Sequence, residues 1–523
     1  MRIVLVGPPG VGKSAIGRAL SRRLGLDLID TDERITAAAG MTIAQLFARD
    51  GEAAFRDREA AELRALGDDV VVATGGGTLT APGALALLDR DDTRVIALDA
   101  PISLLVDRVR RRPGQRPLLA GDPEASMRTL VETRRPLYAR AELRVRAVHR
   151  PARVAGQLAR YLEMSPRRGE VIGSGALDFL AGMLPGRPLL VSDAHVEHLH
   201  GARLRAAIGR GGAGTVRLPR GERAKTMEAI VRAARSLVAR GADRDTVLVA
   251  VGGGALGDSA GLLASLYMRG VRWAVVPSTL LAMVDASLGG KVAVDLPEGK
   301  NLLGAFHPPA VSVVDTDLLA TMPDDLWREG WAESVKGAAI GDPELLERLG
   351  RGPAAREGEE LVDTVRRARA VKRERVLADP REALGGVREH LNLGHTLGHA
   401  IETLSGHRLA HGDAVSIGLA AILRLAEGDG MLAHAEAAPI WAALRAQGLP
   451  TEAPDWLAVG QADAVAAMAR DKKARAGRVR LVVPRAVGRI EMVTADEAML
   501  TRLAAFAGLA AGSVARPEPV GKS

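Results

Sequence analysis

The sequence predicts an α/β protein of two units in series, the second divided into an α/β lobe and a mostly helical lobe. Three observations carry this. Short apolar runs alternate with Ala-, Arg- and Glu-rich stretches of helical period over residues 1–163, and alternation resumes over 170–320. Two glycine-rich turns each join an apolar run to a helix start. After about residue 320 the strand signal fades, and helical periodicity dominates to about residue 475.

In chain order, Arg2-Ile3-Val4-Leu5-Val6 reads as a strand with no leader before it. Val70–Thr74 and Val95–Asp99 read as further strands of a parallel sheet. Ser165-Pro166-Arg167-Arg168-Gly169 is short, polar and punctuated by Pro and Gly, so 164–169 is expected to be a linker. The next strands are Leu189–Asp193, Thr246–Val251, Ala274–Pro277 and Val311–Asp315, which place an α/β lobe over 170–320 and a helical lobe over 321–512. Leu481–Pro484 returns a strand, and 513–523 is expected to be a disordered tail.

Composition removes several classes of function. A chain of 523 residues suits about three structural units. The formal net charge of +8 invites a nucleic-acid reading. Basic residues are mixed with acids throughout, however, and five Trp, three Tyr and five Phe leave few stacking platforms, so no nucleic-acid partner is expected. No window of about 20 apolar residues is free of charge, so no membrane span is expected. The absence of cysteine excludes disulfides and thiolate metal sites and fits a reducing cytoplasm.

Gly7-Pro8-Pro9-Gly10-Val11-Gly12-Lys13-Ser14 lies between a strand and a helix, with the spacing of a P-loop. Gly10 and Gly12 let backbone N–H groups wrap phosphate oxygens at a helix N-terminus, Lys13 reaches the β/γ-phosphates, and Ser14 ligates Mg²⁺. ATP with Mg²⁺ is the expected ligand. Asp30-Thr31-Asp32 offers two carboxylates at a strand end, for magnesium and a substrate hydroxyl. Gly51-Glu52-Ala53-Ala54-Phe55-Arg56 supplies an arginine, Thr74-Gly75-Gly76-Gly77 allows close backbone approach, and Arg116-Pro117-Leu118-Leu119 suits a lid. Singly, each has a plain explanation as a cap, a surface arginine or a turn.

Together, in this order and with Arg134-Arg135-Pro136-Leu137-Tyr138, they make residues 1–163 resemble shikimate kinase. The resemblance implies that Asp32, Arg56, Gly77 and Arg134 bind shikimate, with Arg135 adjacent to Arg134. Asp32 would orient or deprotonate the attacking hydroxyl, and Arg56 and Arg134 would grip the carboxylate in fork geometry. Arg116 would close over the phosphates.

In the second unit, Val249 to Asp258 forms a strand, a glycine turn and a helix start, suited to a pyrophosphate. His395, His399, His407 and His411 are four of the 11 histidines. From spacing alone, His395 and His399 are the metal candidates, because i and i+4 share a helix face. Asp285, Lys291, Lys300, Asn301, Lys336 and Arg388 lie in or near glycine-rich segments, where lysines suit phosphate or hydroxyl recognition.

Residues 170–510 resemble 3-dehydroquinate synthase. The matching segments are Gly252–Asp258, Pro277–Lys291, Gly299-Lys300-Asn301, Ala332–Lys336, Leu391–His399, His411-Gly412-Asp413 and Asp471-Lys472-Lys473. The resemblance implies Zn²⁺ (or Co²⁺) held by Glu333, His395 and His411, and moves His399 from metal ligand to substrate contact. It implies NAD⁺ at Asp193, Glu222, Lys225, Gly253, Gly254 and Asp258, with Thr279, Lys291 and Lys300. The substrate pocket would take Arg269, Asp285, Lys291, Asn301 and Lys336. Lys372, Arg388, Asn392, His399 and one of Lys472 or Lys473 would complete it, with Lys291, Lys336, Asn392 and His399 acting in catalysis.

The implied substrate is 3-deoxy-D-arabino-heptulosonate 7-phosphate. Transient oxidation by NAD⁺, phosphate elimination, hydride return and an intramolecular aldol step would yield 3-dehydroquinate. The expected partners are small molecules and a second copy of the chain, paired through this unit, with Arg269 reaching the neighbour. A sedoheptulose 7-phosphate cyclase is the alternative for this unit, and another small-molecule P-loop kinase for the first; Asn392 and His399 favour the synthase. Two departures stand out. His195 occupies a position where the family usually carries asparagine, and Asp379 to Arg388 is about two residues longer than usual.

Overall fold

The computed structural model describes residues 1–111, 122–209, 214–383, 385–470 and 479–512. The arginine lid at Arg116, the pair Lys472 and Lys473, and the expected tail 513–523 lie outside them.

The first unit is built on five strands: β1 Arg2–Val6, β2 Asp27–Asp30, β3 Val70–Ala73, β4 Thr93–Asp99 and β5 Leu143–Arg146. They pair in parallel in the order β2-β3-β1-β4-β5. Ile3–Val6 and Val70–Ala73 are buried throughout, as expected of parallel strands covered by helices on both faces. The C-terminal ends of β1, β2 and β3 lie side by side, so their following turns converge on one edge of the sheet.

The second unit has a six-stranded parallel sheet. Its strands are β6 Glu170–Gly173, β7 Arg187–Ser192, β8 Thr215–Arg217, β9 Thr246–Gly252, β10 Trp273–Pro277 and β13 Val311–Asp315, in the order β6-β13-β10-β9-β7-β8. Between β10 and β13 the chain makes an antiparallel hairpin, β11 Lys291–Leu296 and β12 Gly299–Phe306. In the sequence this stretch shows only as a glycine- and lysine-bearing motif, because β12 is mostly exposed and its side chains carry little alternation. The helical lobe follows, and a hairpin of β14 Val479–Ala486 and β15 Arg489–Ala495 packs into it. No helix among the described residues is long and apolar enough to cross a membrane.

The two units touch. Helix Pro151–Met164 runs almost directly into β6, and the segment expected as a linker is packed rather than free. Ser165 is buried: its hydroxyl accepts from Arg94 Nη2 at 2.7 Å and donates to the Glu170 carbonyl at 2.6 Å. Tyr161 and Phe179 pack against each other across the seam, rings tilted by 59° with centroids 5.3 Å apart. Arg144 donates to the Leu184 carbonyl at 2.8 Å.

Candidate functional sites

The P-loop follows β1 and ends in helix Lys13–Leu24. Its glycines are required by the backbone: Gly10 and Gly12 have φ of 80° and 102°, and a Cβ on Gly10 would meet the Leu105 carbonyl oxygen at 2.8 Å. The Lys13 ammonium is buried and donates to the carbonyls of Gly7 at 2.8 Å and Pro8 at 3.3 Å, so it lies against the loop that would wrap a phosphate. Ser14 stands in the first turn of the helix, where the dipole favours anions.

The acceptor side forms around the turn after β3. Arg56 is buried and held by Glu52 at 2.7 Å and by Glu59, while Thr78 donates to Glu59 at 2.6 Å. A Cβ on Gly77 would land 2.2 Å from the Arg56 guanidinium carbon, and one on Gly75 would land 2.6 Å from Asp32 Oδ1. The glycine run is therefore the surface on which Arg56 and Asp32 rest. Arg134 is buried and donates to the Gly76 carbonyl at 2.6 Å, whereas Arg135 is exposed, which separates the two. Of the two carboxylates at the end of β2, Asp30 is a helix cap accepting from the N–H groups of Asp32 and Glu33. That cap engages Asp30 Oδ1 alone, while Asp32 Oδ1 lies against the turn at Gly75. Glu59 carried no motif signal, and its role is visible only from its burial beside Arg56.

In the second unit one cleft of about 1970 Å³ collects most of the predicted residues. At one end lie Gly253 and Gly254, at the N-terminus of helix Gly254–Leu266. Asp193 is beside them, its Oδ1 accepting from the His195 and Val196 N–H groups at 2.8 and 2.9 Å. Glu222 and Thr279 also line this end. Lys225 reaches Asp258 at 2.9 Å and also donates to Asn301. Burial alone would lower the Lys225 ammonium, but Asp258, Glu222 and Asp295 outweigh it and hold it charged.

At the other end Glu333 Oε1 faces His395 Nε2 at 3.4 Å and His411 Nε2 at 3.5 Å. Both Glu333 oxygens are buried without a hydrogen bond, and Lys336 pairs with the carboxylate. Burial would raise the Glu333 carboxyl, yet Lys336 and His411 bring it to about 2. Burial would lower His411, yet Glu333 and Glu402 raise it to about 10. A buried carboxylate facing two imidazole nitrogens, with Lys336 beside it, is a donor set that fits a divalent cation. Among the described residues, Glu333, His395 and His411 form one group with metal-ligand spacing, and His399, Glu402 and His411 form a second. His395 and His399 do share a face, with ring centroids 4.9 Å apart.

Helix His395–Leu404 and helix His411–Gly428 meet through glycine. Cβ atoms on Gly398 and Gly418 would lie 2.9 Å from the Ala414 oxygen and 2.0 Å from the Gly394 oxygen. That close approach brings His395 and His411 together. Glu402, missed by sequence reasoning, accepts from Lys300 at 2.7 Å and pairs with His411 Nδ1 at 3.1 Å. With a cation bound, Nδ1–H donation to Glu402 would leave Nε2 as the lone-pair nitrogen beside Glu333 and His395.

Between the two ends lie Asp285, Lys291, Lys300, Asn301, Lys336, Lys372, Arg388, Asn392 and His399. Lys372 pairs with Asp285 at 2.8 Å, so the longer Asp379–Arg388 segment does not displace it. That segment supplies Glu382, which pairs with Lys291 in the cleft. Arg269 is the exception. It sits exposed in the turn Tyr267–Arg269, with φ of 67°, and does not line the cleft of its own chain. Helix Gly254–Leu266 starts at the cleft and carries the chain away from it, which leaves Arg269 at the far end.

Three family models match the chain: shikimate kinase over residues 9–163, 3-dehydroquinate synthase N-terminal over 215–329, and 3-dehydroquinate synthase C-terminal over 330–474. A 3-dehydroquinate synthase of Xanthomonas axonopodis pv. citri is 43% identical over 328 residues, covering 60% of this chain and 88% of that one. One of Opitutus terrae is 45% identical over 279 residues, covering 53% and 76%. Among solved structures, a 2-epi-5-epi-valiolone synthase from Streptomyces hygroscopicus subsp. jinggangensis, with NAD⁺ and Zn²⁺ bound, aligns with a TM-score of 0.57. It is 30% identical and covers 62% of this chain and 91% of its own.

Proposed function

The chain belongs to the 3-dehydroquinate synthase family and carries a shikimate kinase unit ahead of it, and from that premise we propose how its residues divide the work of two reactions. It is a bifunctional enzyme of aromatic amino-acid biosynthesis. The first unit phosphorylates shikimate with Mg-ATP. The second converts 3-deoxy-D-arabino-heptulosonate 7-phosphate to 3-dehydroquinate and phosphate. The observation that carries the second assignment is the single cleft that joins a helix N-terminus, a lysine-rich wall and the Glu333, His395 and His411 set.

In the kinase unit, Gly10, Gly12 and Lys13 hold the phosphates and Ser14 holds Mg²⁺. Asp32 accepts the proton of the attacking hydroxyl. Arg56 and Arg134, both buried beside the glycine turn, grip the shikimate carboxylate over Gly77. Arg116 closes over the transferring phosphoryl group.

In the synthase unit, Gly253 and Gly254 would hold the pyrophosphate region of NAD⁺ at a helix N-terminus, with Asp258 a further contact to the cofactor. Asp193, Glu222, Lys225, Thr279, Lys291 and Lys300 surround the rest. Glu333, His395 and His411 would hold Zn²⁺ or Co²⁺. When bound, the two cofactors supply transient oxidation at the reacting carbon and polarisation of its oxygen. Lys291, Asn301, Lys372 and Arg388 bind the anionic groups of the substrate, joined by one of Lys472 or Lys473. Lys336, Asn392 and His399 orient its hydroxyls beside the metal set. The protein acts in the cytoplasm, where both cofactors and ATP are at hand, as a homodimer whose exposed Arg269 reaches the partner's cleft.

The test is two assays on one preparation. The heptulosonate phosphate with NAD⁺ and Zn²⁺ should release phosphate, and shikimate with Mg-ATP should yield ADP. Turnover of sedoheptulose 7-phosphate in place of the heptulosonate would overturn the synthase assignment, and phosphorylation of another sugar acid but not shikimate would overturn the kinase assignment.

A further inference from the structure

Asp285 lies on a single π-helical turn, Ala282–Ala286, rather than on a regular element. Such turns are held by their surroundings, because the π geometry is intrinsically poor. Here the surroundings are one face of helix Gly358–Ala378. Lys372 donates to the Asp285 carbonyl at 2.8 Å and pairs with its carboxylate at the same distance. One turn earlier on that helix, Arg369 donates to the Met283 carbonyl and to the Ser287 hydroxyl, the latter at 2.9 Å. Those two acceptors flank Asp285 on either side.

Arg369 is fully buried, which an arginine tolerates only when its charge and donors are matched. Glu170, equally buried, accepts from its Nη2 at 2.6 Å and its Nε at 3.2 Å. Ser312 takes a further donor at 3.1 Å. Glu170 is fixed in turn: Arg373 reaches it at 2.7 Å and Arg167 at 3.2 Å, and its carbonyl accepts from Ser165 at the seam with the kinase unit. Nothing in the sequence reading singled out either residue.

We propose that Arg369 is a positioning residue for the synthase reaction: locked by Glu170, it grips both ends of the turn that aims Asp285 and its partner Lys372 into the cleft. This rests on the synthase reading of the cleft. It makes the first strand after the seam part of the substrate site's support, although no atom of Glu170 lines the cleft.

Two variants separate positioning from stability. Arg369→Lys keeps the charge for Glu170, but one ammonium cannot also span Met283 and Ser287. The double change Glu170→Leu with Arg369→Met replaces the ion pair by apolar packing, which is commonly neutral or stabilising. Arg167 and Arg373 remain partly solvated without Glu170, with side-chain exposures of 45% and 19%. Both variants should raise KM for the heptulosonate phosphate and lower synthase kcat/KM by about tenfold or more. Shikimate kinase kcat/KM should stay within about twofold of wild type, and the double variant should melt near the wild-type temperature. A double variant with wild-type synthase KM would overturn the proposal. So would equal loss of kinase and synthase in both variants, since that marks a purely structural pair. Wild-type turnover of the heptulosonate phosphate, run alongside, keeps failure of the synthase reading distinct from failure of this one.

Discussion

At the scale of single residues, most of the chemistry was legible because it rests on side chains that few environments tolerate. Lys13 and Asp32 stand in motifs whose spacing matters, whereas spacing alone pointed to His395 and His399, and Glu333 and His411 entered through the family resemblance. What was not legible is the set of partners that orient them. Glu59 under Arg56, Glu382 on Lys291 and Glu402 behind His411 are ordinary helix or loop acids in the sequence, and only burial and distance reveal them. Glu402 gives the first prediction. Glu402→Gln should weaken Zn²⁺ binding about 10- to 100-fold, because the outer carboxylate sets the tautomer and basicity of the ligating imidazole. Competition with a metallochromic indicator measures it, and unchanged affinity would remove Glu402 from the site. Glu170 gives the second. Burial would raise its carboxyl, but Arg369, Arg167 and Arg373 outweigh that and hold it below the usual range. A depressed folded-state pKa means its stabilisation is complete above the unfolded value of about 4.3 and is lost as pH falls through the folded value. The melting difference between wild type and Glu170→Gln should therefore be widest near neutral pH, reflecting about 3–5 kcal/mol for a broken buried pair, and should shrink in acid. A difference that grew in acid would contradict it.

At the scale of elements, β1, β3, β4, β7, β9, β10 and β13 could be read because each is a short apolar run, whereas β5, β6 and β8 are too short or too mixed in polarity to stand out. Helix-on-helix contact could not, since it depends on which small residues face each other. The pair His395–Leu404 and His411–Gly428 shows this. Gly398 and Gly418 carry no obvious turn signal, yet each sits where a Cβ would press on backbone of the neighbouring segment. Gly418→Ala should force the helices apart and cost about 1–3 kcal/mol by overpacking. Moving His411 away from His395 should also lower synthase activity more than kinase activity. Zinc content per chain and the two assays decide this; a variant with full zinc occupancy would show that the crossing is not what brings the ligands together.

At the scale of the whole molecule, the sequence marked 164–169 as a break, and the structure fills that break with buried contacts. The composition of the segment is that of a loop, but Ser165 is satisfied by Arg94 on β4 and by the Glu170 carbonyl on β6. Arg94 is itself buried and held by Glu142 at 2.8 and 2.9 Å. Apolar residues from both units, including Tyr161, Met164, Val171 and Phe179, form one continuous core. Domains joined by flexible tethers unfold separately, whereas units sharing buried apolar and charged contacts unfold together. The chain should therefore lose shikimate kinase and synthase activity at the same temperature, in one calorimetric transition. Glu142→Gln, which leaves the Arg94 guanidinium buried beside Tyr161 without its carboxylate, should cost about 3–5 kcal/mol and shift both losses by the same interval. Two resolved transitions in the wild-type chain, or a shift confined to the kinase, would show that the seam is a contact the two units can release independently.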